Sequence, residues 1–159
     1  MIAHRLIRKY GWECISLDYL KDAFLKSGLG NPGDRNDYEM RYWMWPLVAE
    51  IVKKAVGTRR NLIIEGCYIP PGWRRDFGEE YLREIRFICL AMTDAYIDAH
   101  FDAVKAHASD IEARLDDTCC TARLLKRDNR AVIEGFTAAG ESVTRIEDDY
   151  TEAIAPLLR

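Results

Sequence analysis

The chain has 159 residues, of which 48% are hydrophobic and 31% charged, and its formal net charge is −3. This composition is typical of one folded globular domain and excludes general disorder, collagen and coiled-coil arrays. The slightly acidic balance argues against a dedicated nucleic-acid-binding protein. No apolar run reaches the roughly 20 residues that span a bilayer, and the N-terminus lacks an apolar signal core, so we expect a cytoplasmic protein without a membrane partner.

Helices and strands alternate along the predicted chain. Apolar spacing predicts helices over residues 2–10, 19–27, 38–56, 79–84, 94–108, 120–139 and 150–158. Short apolar runs predict strands over 12–18, 61–66, 85–92 and 141–147. A loop rich in Gly, Asn and Asp separates the second and third helices over 27–37. Pro46 is expected to kink the long helix or to mark a new start.

This alternation predicts an α/β fold with a parallel sheet, formed by residues 1–159 as a single domain. The strands over 61–66 and 85–92 are continuous apolar runs, which is typical of strands buried on both faces. Parallel sheets bind ligands at the carboxyl ends of their strands. Candidate functional residues are therefore expected where the strands end.

Acidic residues follow all of the predicted strands. Asp18 and Glu65 end the first two strands, and further acids after the third and fourth are Asp94, Glu147, Asp148 and Asp149. Carboxylates gathered at one sheet edge can hold Mg²⁺ or take a proton from a substrate hydroxyl. Each acid also has a structural interpretation, since Asp18 and Asp94 stand where they could cap the helices that follow them.

Arginines lie near the same strand ends. Arg35 and Arg41 flank the polar loop, Arg74 and Arg75 follow the second strand, and the later arginines are Arg114, Arg123, Arg127 and Arg130. A guanidinium presents a planar fork that suits phosphate and carboxylate oxygens, although most surface arginines bind neither. The neighbouring aromatic residues are by default core residues, with Trp73 beside two arginines as the strongest exception.

The cysteines and histidines do not suggest a redox or metal site. An odd count of five cysteines without a CxxC pair argues against disulfides and zinc, and Cys14, Cys67 and Cys89 lie in or beside apolar runs. They are interpreted as buried thiols in a reducing compartment. The three histidines are scattered, so no metal ligand is predicted among them.

At this point the pattern resembles a family, the P-loop small-molecule kinases, and within it the adenylate kinase-like and 2-phosphoglycerate kinase-like proteins. The segments that carry the resemblance are AHRLIRKYG, ISLD, IIEGCYIPPGWRRDF, FICLAM and IEARLDD, and the resemblance covers nearly the whole chain, from about Ala3 to Leu158. The resemblance implies a three-layer parallel sheet with helices on both faces. It also implies phosphoryl transfer from ATP with Mg²⁺ to a nucleotide or a small phosphorylated acid.

The resemblance assigns roles to the candidate residues. Asp18 would contact the acceptor and Glu65 would lie near Mg²⁺, as the catalytic pair. Arg114 and Arg123 would belong to a lid that neutralises charge on the transferred group. The substrate-binding arginines would be Arg35, Arg41, Arg74 and Arg75. Positioning and charge neutralisation are the main tasks in phosphoryl transfer, so these residue types suit the chemistry.

The sequence departs from the family at the phosphate-binding loop. No G-x-x-x-x-G-K-[ST] occurs in it, and the strand that precedes this loop, the central strand of the sheet, is absent too. The family places that strand between the strands ending at Gly66 and Met92. One explanation is that the sequence starts at an internal Met and lacks roughly 15 to 20 residues.

The other explanation is a genuine loss, in which case the flanking strands pair directly or another segment fills the gap. We favour the first, because an open gap leaves backbone groups unpaired. As given, the chain is expected to be a kinase homologue with weak or no turnover. The alternatives are a non-catalytic protein that binds a phosphorylated ligand or a protein partner, and a partner-dependent fragment whose open sheet edges favour a homodimer.

Overall fold

A computed structural model describes residues 2–31, 33–107 and 120–158. It is a mixed α/β structure, as predicted. The helices are α1 (Ile2–Tyr10), α2 (Leu17–Ser27), α3 (Asp37–Gly57), α4 (Glu79–Leu82), α5 (Asp94–His107), α6 (Ala122–Ala138) and α7 (Tyr150–Ile154). The strands are β1 (Glu13–Ser16), β2 (Leu62–Glu65), β3 (Cys89–Met92) and β4 (Val143–Ile146). Short 3-10 helices cover Trp73–Asp76 and Ala155–Leu158.

The strands form two small parallel sheets instead of the expected single one. β1 pairs with β2, with Ser16 opposite Glu65 at the carboxyl end, and β3 pairs with β4, with Met92 opposite Ile146. Among the described strands no bonds join β2 to β3. All four residues of β2 are half-buried, so the prediction of a strand buried on both faces is wrong for it. A two-stranded sheet leaves each strand with one open edge, which exposes part of its side chains.

The chain divides into two compact units. The first comprises the residues up to Arg86 together with Leu158. Its longest element, α3, begins with a capping box: the Asn36 side chain accepts from the Glu39 N–H, and the Glu39 carboxylate accepts from the Asn36 N–H. The predicted restart at Pro46 does not occur. Buried side chains flank the proline on both sides, and packing of this face outweighs the lost hydrogen bond; they are Met40, Met44, Trp45, Val48 and Ala49.

The second unit comprises Phe87–Leu157 and packs α5, α6 and α7 near the β3–β4 sheet. Its buried core residues include Ala91, Ile97, Phe136, Ile146 and Ile154. β3 is shorter than the predicted strand over 85–92, because its partner strand begins only at Val143, opposite Cys89. α5 is interrupted at His100, whose φ of −127° and ψ of 17° are not helical.

The exposure of the cysteines differs in part from the prediction, and some predicted residues lie outside the described part of the chain. Cys89 is buried as predicted, whereas Cys14 is half-buried and Cys67 is exposed, so the buried-thiol interpretation is wrong for Cys67. Arg114 and the segment IEARLDD lie outside the described residues. Within the described part, no helix combines the length and apolar character needed to cross a membrane.

Candidate functional site at the carboxyl edge of β1 and β2

The register of β1 and β2 brings Asp18 and Glu65 to the same sheet edge. Ser16 is opposite Glu65, and α2 starts directly after Ser16, so Asp18 lies in the first turn of α2. Asp18 is therefore not a cap, and its charge interacts favourably with the positive end of the helix dipole. Among the described residues, neither carboxylate has an ion-pair partner.

A close backbone approach builds this edge. Gly66 leaves β2 with a φ of +136°, and a Cβ placed on it would lie 2.9 Å from the Leu17 Cβ. Leu17 is fully buried, so it has no room to move away. Glycine is required here for two reasons: it adopts the positive φ without strain, and it has no Cβ to collide with Leu17 of α2. The sequence signal for this feature is the Glu-Gly pair at the end of the strand.

Arg41 reaches the same edge from the second turn of α3. Its Nε and Nη2 donate to the Cys67 carbonyl oxygen at 3.2 and 2.9 Å. These bonds fix the plane of the guanidinium, and its remaining N–H groups have no carboxylate partner among the described residues. The half-buried Arg41 is thus a positioned cation held against the loop that follows Glu65.

A buried tyrosine links three segments at this edge. The Tyr68 hydroxyl accepts from Lys21 Nζ at 2.6 Å and donates to Asp37 Oδ1 at 2.8 Å. Tyr68 is 3% exposed, and burial is the main cause that raises its pKa far above the usual range. The hydroxyl therefore stays protonated and acts as a donor to Asp37. Sequence analysis missed this trio, because its three residues come from separate segments and no local pattern joins them.

Cys67 is exposed as a residue, but it is not an activated thiol. Desolvation of the sulfur raises its pKa, and the negative charges of Asp18 and Asp37 raise it further. A thiolate is the reactive form of cysteine, so this environment suppresses nucleophilic chemistry at Cys67. The same effect shows that Asp18 and Asp37 both lie close to the loop after β2.

The other arginines predicted to bind substrate make different contacts. Arg35 stacks over the Trp43 ring at 5.3 Å and donates to the Asn31 carbonyl oxygen at 3.0 Å. Arg74 stacks over Trp73 at 4.6 Å. Trp73 itself is 2% exposed, so it belongs to the core and is not the exception that the sequence suggested.

Arg75 differs from these two stacked arginines. Its Nε donates to the Gly72 carbonyl oxygen at 3.3 Å. The pKa of Tyr42 is raised, mainly by its hydrogen bond with Tyr38, and the charges of Arg41 and Arg75 both oppose that rise. Of the four predicted substrate-binding arginines, Arg41 and Arg75 are therefore the two whose charges act on Tyr42.

At the carboxyl edge of β3 and β4, the charged side chains pair with one another. Asp94 accepts from Arg130 Nε at 3.2 Å and also from Nη2, and this contact lowers the Asp94 pKa. The predicted cap at Asp94 is replaced by Thr93, whose Oγ1 accepts from the Tyr96 N–H at 3.3 Å. On the same unit Lys126 pairs with Asp98.

Two other residues of this second unit, Asp149 and Asn129, also make structural hydrogen bonds. Asp149 caps α7 by accepting from the Glu152 N–H at 2.8 Å. Asn129 Oδ1 accepts from the Met92 N–H at 2.7 Å and so covers the open edge of β3. Arg123, the described member of the predicted lid pair, lies exposed on α6.

The cofactors implied by the resemblance fit the described residues unequally. No group of three or more His, Cys, Asp or Glu side chains in the described part could hold a metal ion. Asp18 and Glu65 are two carboxylates, a number that suits Mg²⁺ only when phosphate and water oxygens complete its coordination. ATP does not fit these residues, because the sequence lacks the Gly-rich loop whose N–H groups cradle its phosphates.

Comparisons with known proteins do not assign a family or a function to this chain. The sequence matches no family model, no curated protein and no solved structure.

Proposed function

We propose that the chain is a homologue of small-molecule phosphotransferases and that the carboxyl edge of β1–β2 is its acceptor side. The observation that carries the proposal is the guanidinium of Arg41, fixed on the Cys67 carbonyl oxygen in the loop that follows Glu65, at the sheet edge where Asp18 begins α2. An acceptor with a phosphate or carboxylate group would bind Arg41 and Arg75 through charge-assisted hydrogen bonds. Asp18 would orient an acceptor hydroxyl or take its proton.

The strand pairing supports the proposal. In the P-loop kinases that the sequence resembles, the strand before the phosphate loop lies between the strands ending at Gly66 and Met92. Parallel pairing of β1 with β2 and of β3 with β4 is compatible with that order. The predicted lid arginines add no support, since Arg114 lies outside the described residues and Arg123 has no described role at this edge.

A second candidate function is ligand binding without catalysis. It is favoured by the absence of the phosphate-loop motif from the sequence. Phosphoryl transfer needs charge neutralisation on the transferred group as well as a positioned acceptor. The described residues can position an acceptor. The sequence lacks the Gly-rich loop that holds the phosphates of ATP.

The test is a binding measurement on the full chain with 3-phosphoglycerate and inorganic phosphate as probes. We expect 3-phosphoglycerate to bind and Arg41→Ala to weaken it by about 10-fold or more, since a charge-assisted pair contributes about 1.5–3 kcal/mol. Arg83→Ala is the matched control, because Arg83 is an exposed arginine of the same unit that pairs only locally with Glu79 at 3.3 Å. Equal affinities for wild type and Arg41→Ala would overturn the proposed acceptor site.

Transfer of labelled phosphate from ATP to the same probe separates the two candidates. For this chain we expect turnover far below the ordinary range of about 1–100 per second. A rate within that range would show that the chain cradles ATP by other means. Probe binding without any transfer would favour the non-catalytic binding protein.

A further inference from the structure

Two exposed tyrosines stand on the first turns of α3. Tyr38 is 64% and Tyr42 is 47% exposed, and their ring centroids are 5.1 Å apart with an interplanar angle of 63°. Other aromatic rings of the same unit are instead buried; they include Trp45, Tyr68, Trp73 and Phe77. An edge-to-face pair leaves a ring face open to another aromatic group.

The tyrosine pair shares its helix face with the positioned arginine. Tyr38, Arg41 and Tyr42 are spaced i, i+3 and i+4, which places them on one side of a helix. Arg41 is fixed there by its bonds to the Cys67 carbonyl oxygen. An anionic group bound to Arg41 therefore lies beside the tyrosine rings. A substituent attached to that group is then within reach of the rings.

We propose that Tyr38 and Tyr42 bind a planar aromatic ring carried by the same ligand whose anionic group binds Arg41. The ligand class is an aryl or heteroaryl ester of phosphate, or an aryl carboxylate. This inference rests on the proposed acceptor site. It adds that the site selects ligands with a ring, whereas anion binding alone would accept any small phosphate.

The experiment compares phenyl phosphate with cyclohexyl phosphate, which carry the same group on an aromatic and a saturated ring. Affinities are measured on the full chain at pH 8, where both phosphates are dianions. Wild type is expected to prefer phenyl phosphate by about five-fold, the size of a single aromatic pair. Tyr42→Leu should reduce the preference to about one, and Tyr42→Phe should retain it.

Tyr19→Leu is the control, because Tyr19 is 59% exposed on α2 of the same unit. It is expected to leave the preference unchanged, and circular dichroism verifies that each variant is folded. Equal affinity of wild type for the two esters, or an unchanged preference in Tyr42→Leu, overturns the inference. If Arg41→Ala still weakens both esters, the acceptor site itself stands. If wild type binds neither ester nor 3-phosphoglycerate, the site and the inference both fail.

Discussion

The two sheet edges carry similar residues and use them differently. At the β1–β2 edge, Asp18 and Glu65 have no ion-pair partner among the described residues, and Arg41 donates to a carbonyl oxygen. At the β3–β4 edge, Asp94 is paired with Arg130, and Asn129 covers the Met92 N–H. An acid after a strand is thus a candidate site only where the structure has not already neutralised it.

The largest expected effect tests how the first edge is built. Gly66→Ala should lower the free energy of unfolding by about 2–4 kcal/mol, because it adds backbone strain and a contact with Leu17. Gly140→Ala is the matched change in the second unit, where φ is +81° but nothing lies within 4 Å of the added Cβ. It should cost about 1 kcal/mol from φ alone. Equal costs in urea unfolding would show that the approach to Leu17 is unimportant.

The next effect concerns the second edge. Asn129→Leu should cost about 2 kcal/mol, because it leaves the Met92 N–H without an acceptor next to β3. Asn129→Asp keeps an acceptor for Met92 but loses the bond that Asn129 Nδ2 donates to the Leu125 carbonyl oxygen at 2.8 Å. It should therefore be the milder variant by chemical denaturation. The opposite order would mean that the donated bond matters more than the strand edge.

A smaller effect is expected from the hydroxyl that joins three segments at the first edge. Tyr68→Phe should cost about 1 kcal/mol, since it removes one hydrogen bond from Lys21 and one to Asp37 while the 3.6 Å Lys21–Asp37 ion pair remains. Tyr81→Phe is a suitable control, because no hydrogen bond of its hydroxyl is described and its ring contact with Phe77 is kept. A loss in Tyr68→Phe no greater than in Tyr81→Phe would show that the trio does not hold the edge together.

The smallest effect is a titration at the second edge. The hydrogen bond and charge of Arg130 lower the pKa of Asp94 below its ordinary value of 3.8. A carboxyl whose pKa is depressed by folding stabilises the protein above its unfolded pKa and loses that contribution as pH falls through the folded value. We therefore expect Arg130→Gln to return the Asp94 pKa to its ordinary range in a carbon-13 NMR titration. An unchanged low value would assign the shift to a different group.

Much of the secondary structure followed from local pattern. Apolar spacing predicted α1 to within a residue or two, and Asn36 and Glu39 carry the signature that starts α3. Strand lengths were overestimated, since β3 extends only as far as β4 pairs with it. An apolar run states that a segment can be a strand, but a partner determines where the strand ends.

The residue types of the candidate site were predictable from the sequence, but the hydrogen bonds between those residues were not. Asp18, Glu65 and Arg41 were identified from their place after strands and loops, which is a local property. Asp18 and Glu65 share one sheet edge only because β1 pairs with β2, and that pairing joins residues distant in the chain. The bond from Arg41 to Cys67 spans 26 positions and the one from Tyr68 to Asp37 spans 31, and no local pattern specifies such contacts.

Sequence alone thus determined an α/β chain with acids and arginines at strand ends, because helix and strand periodicity and turn chemistry are written in neighbouring residues. Tertiary structure decided which of those charges remain available. Asp94 is paired with Arg130 on another helix, whereas Asp18 has no ion-pair partner among the described residues. Ion pairs and close approaches form between residues distant in the chain, and only the packed fold brings them together.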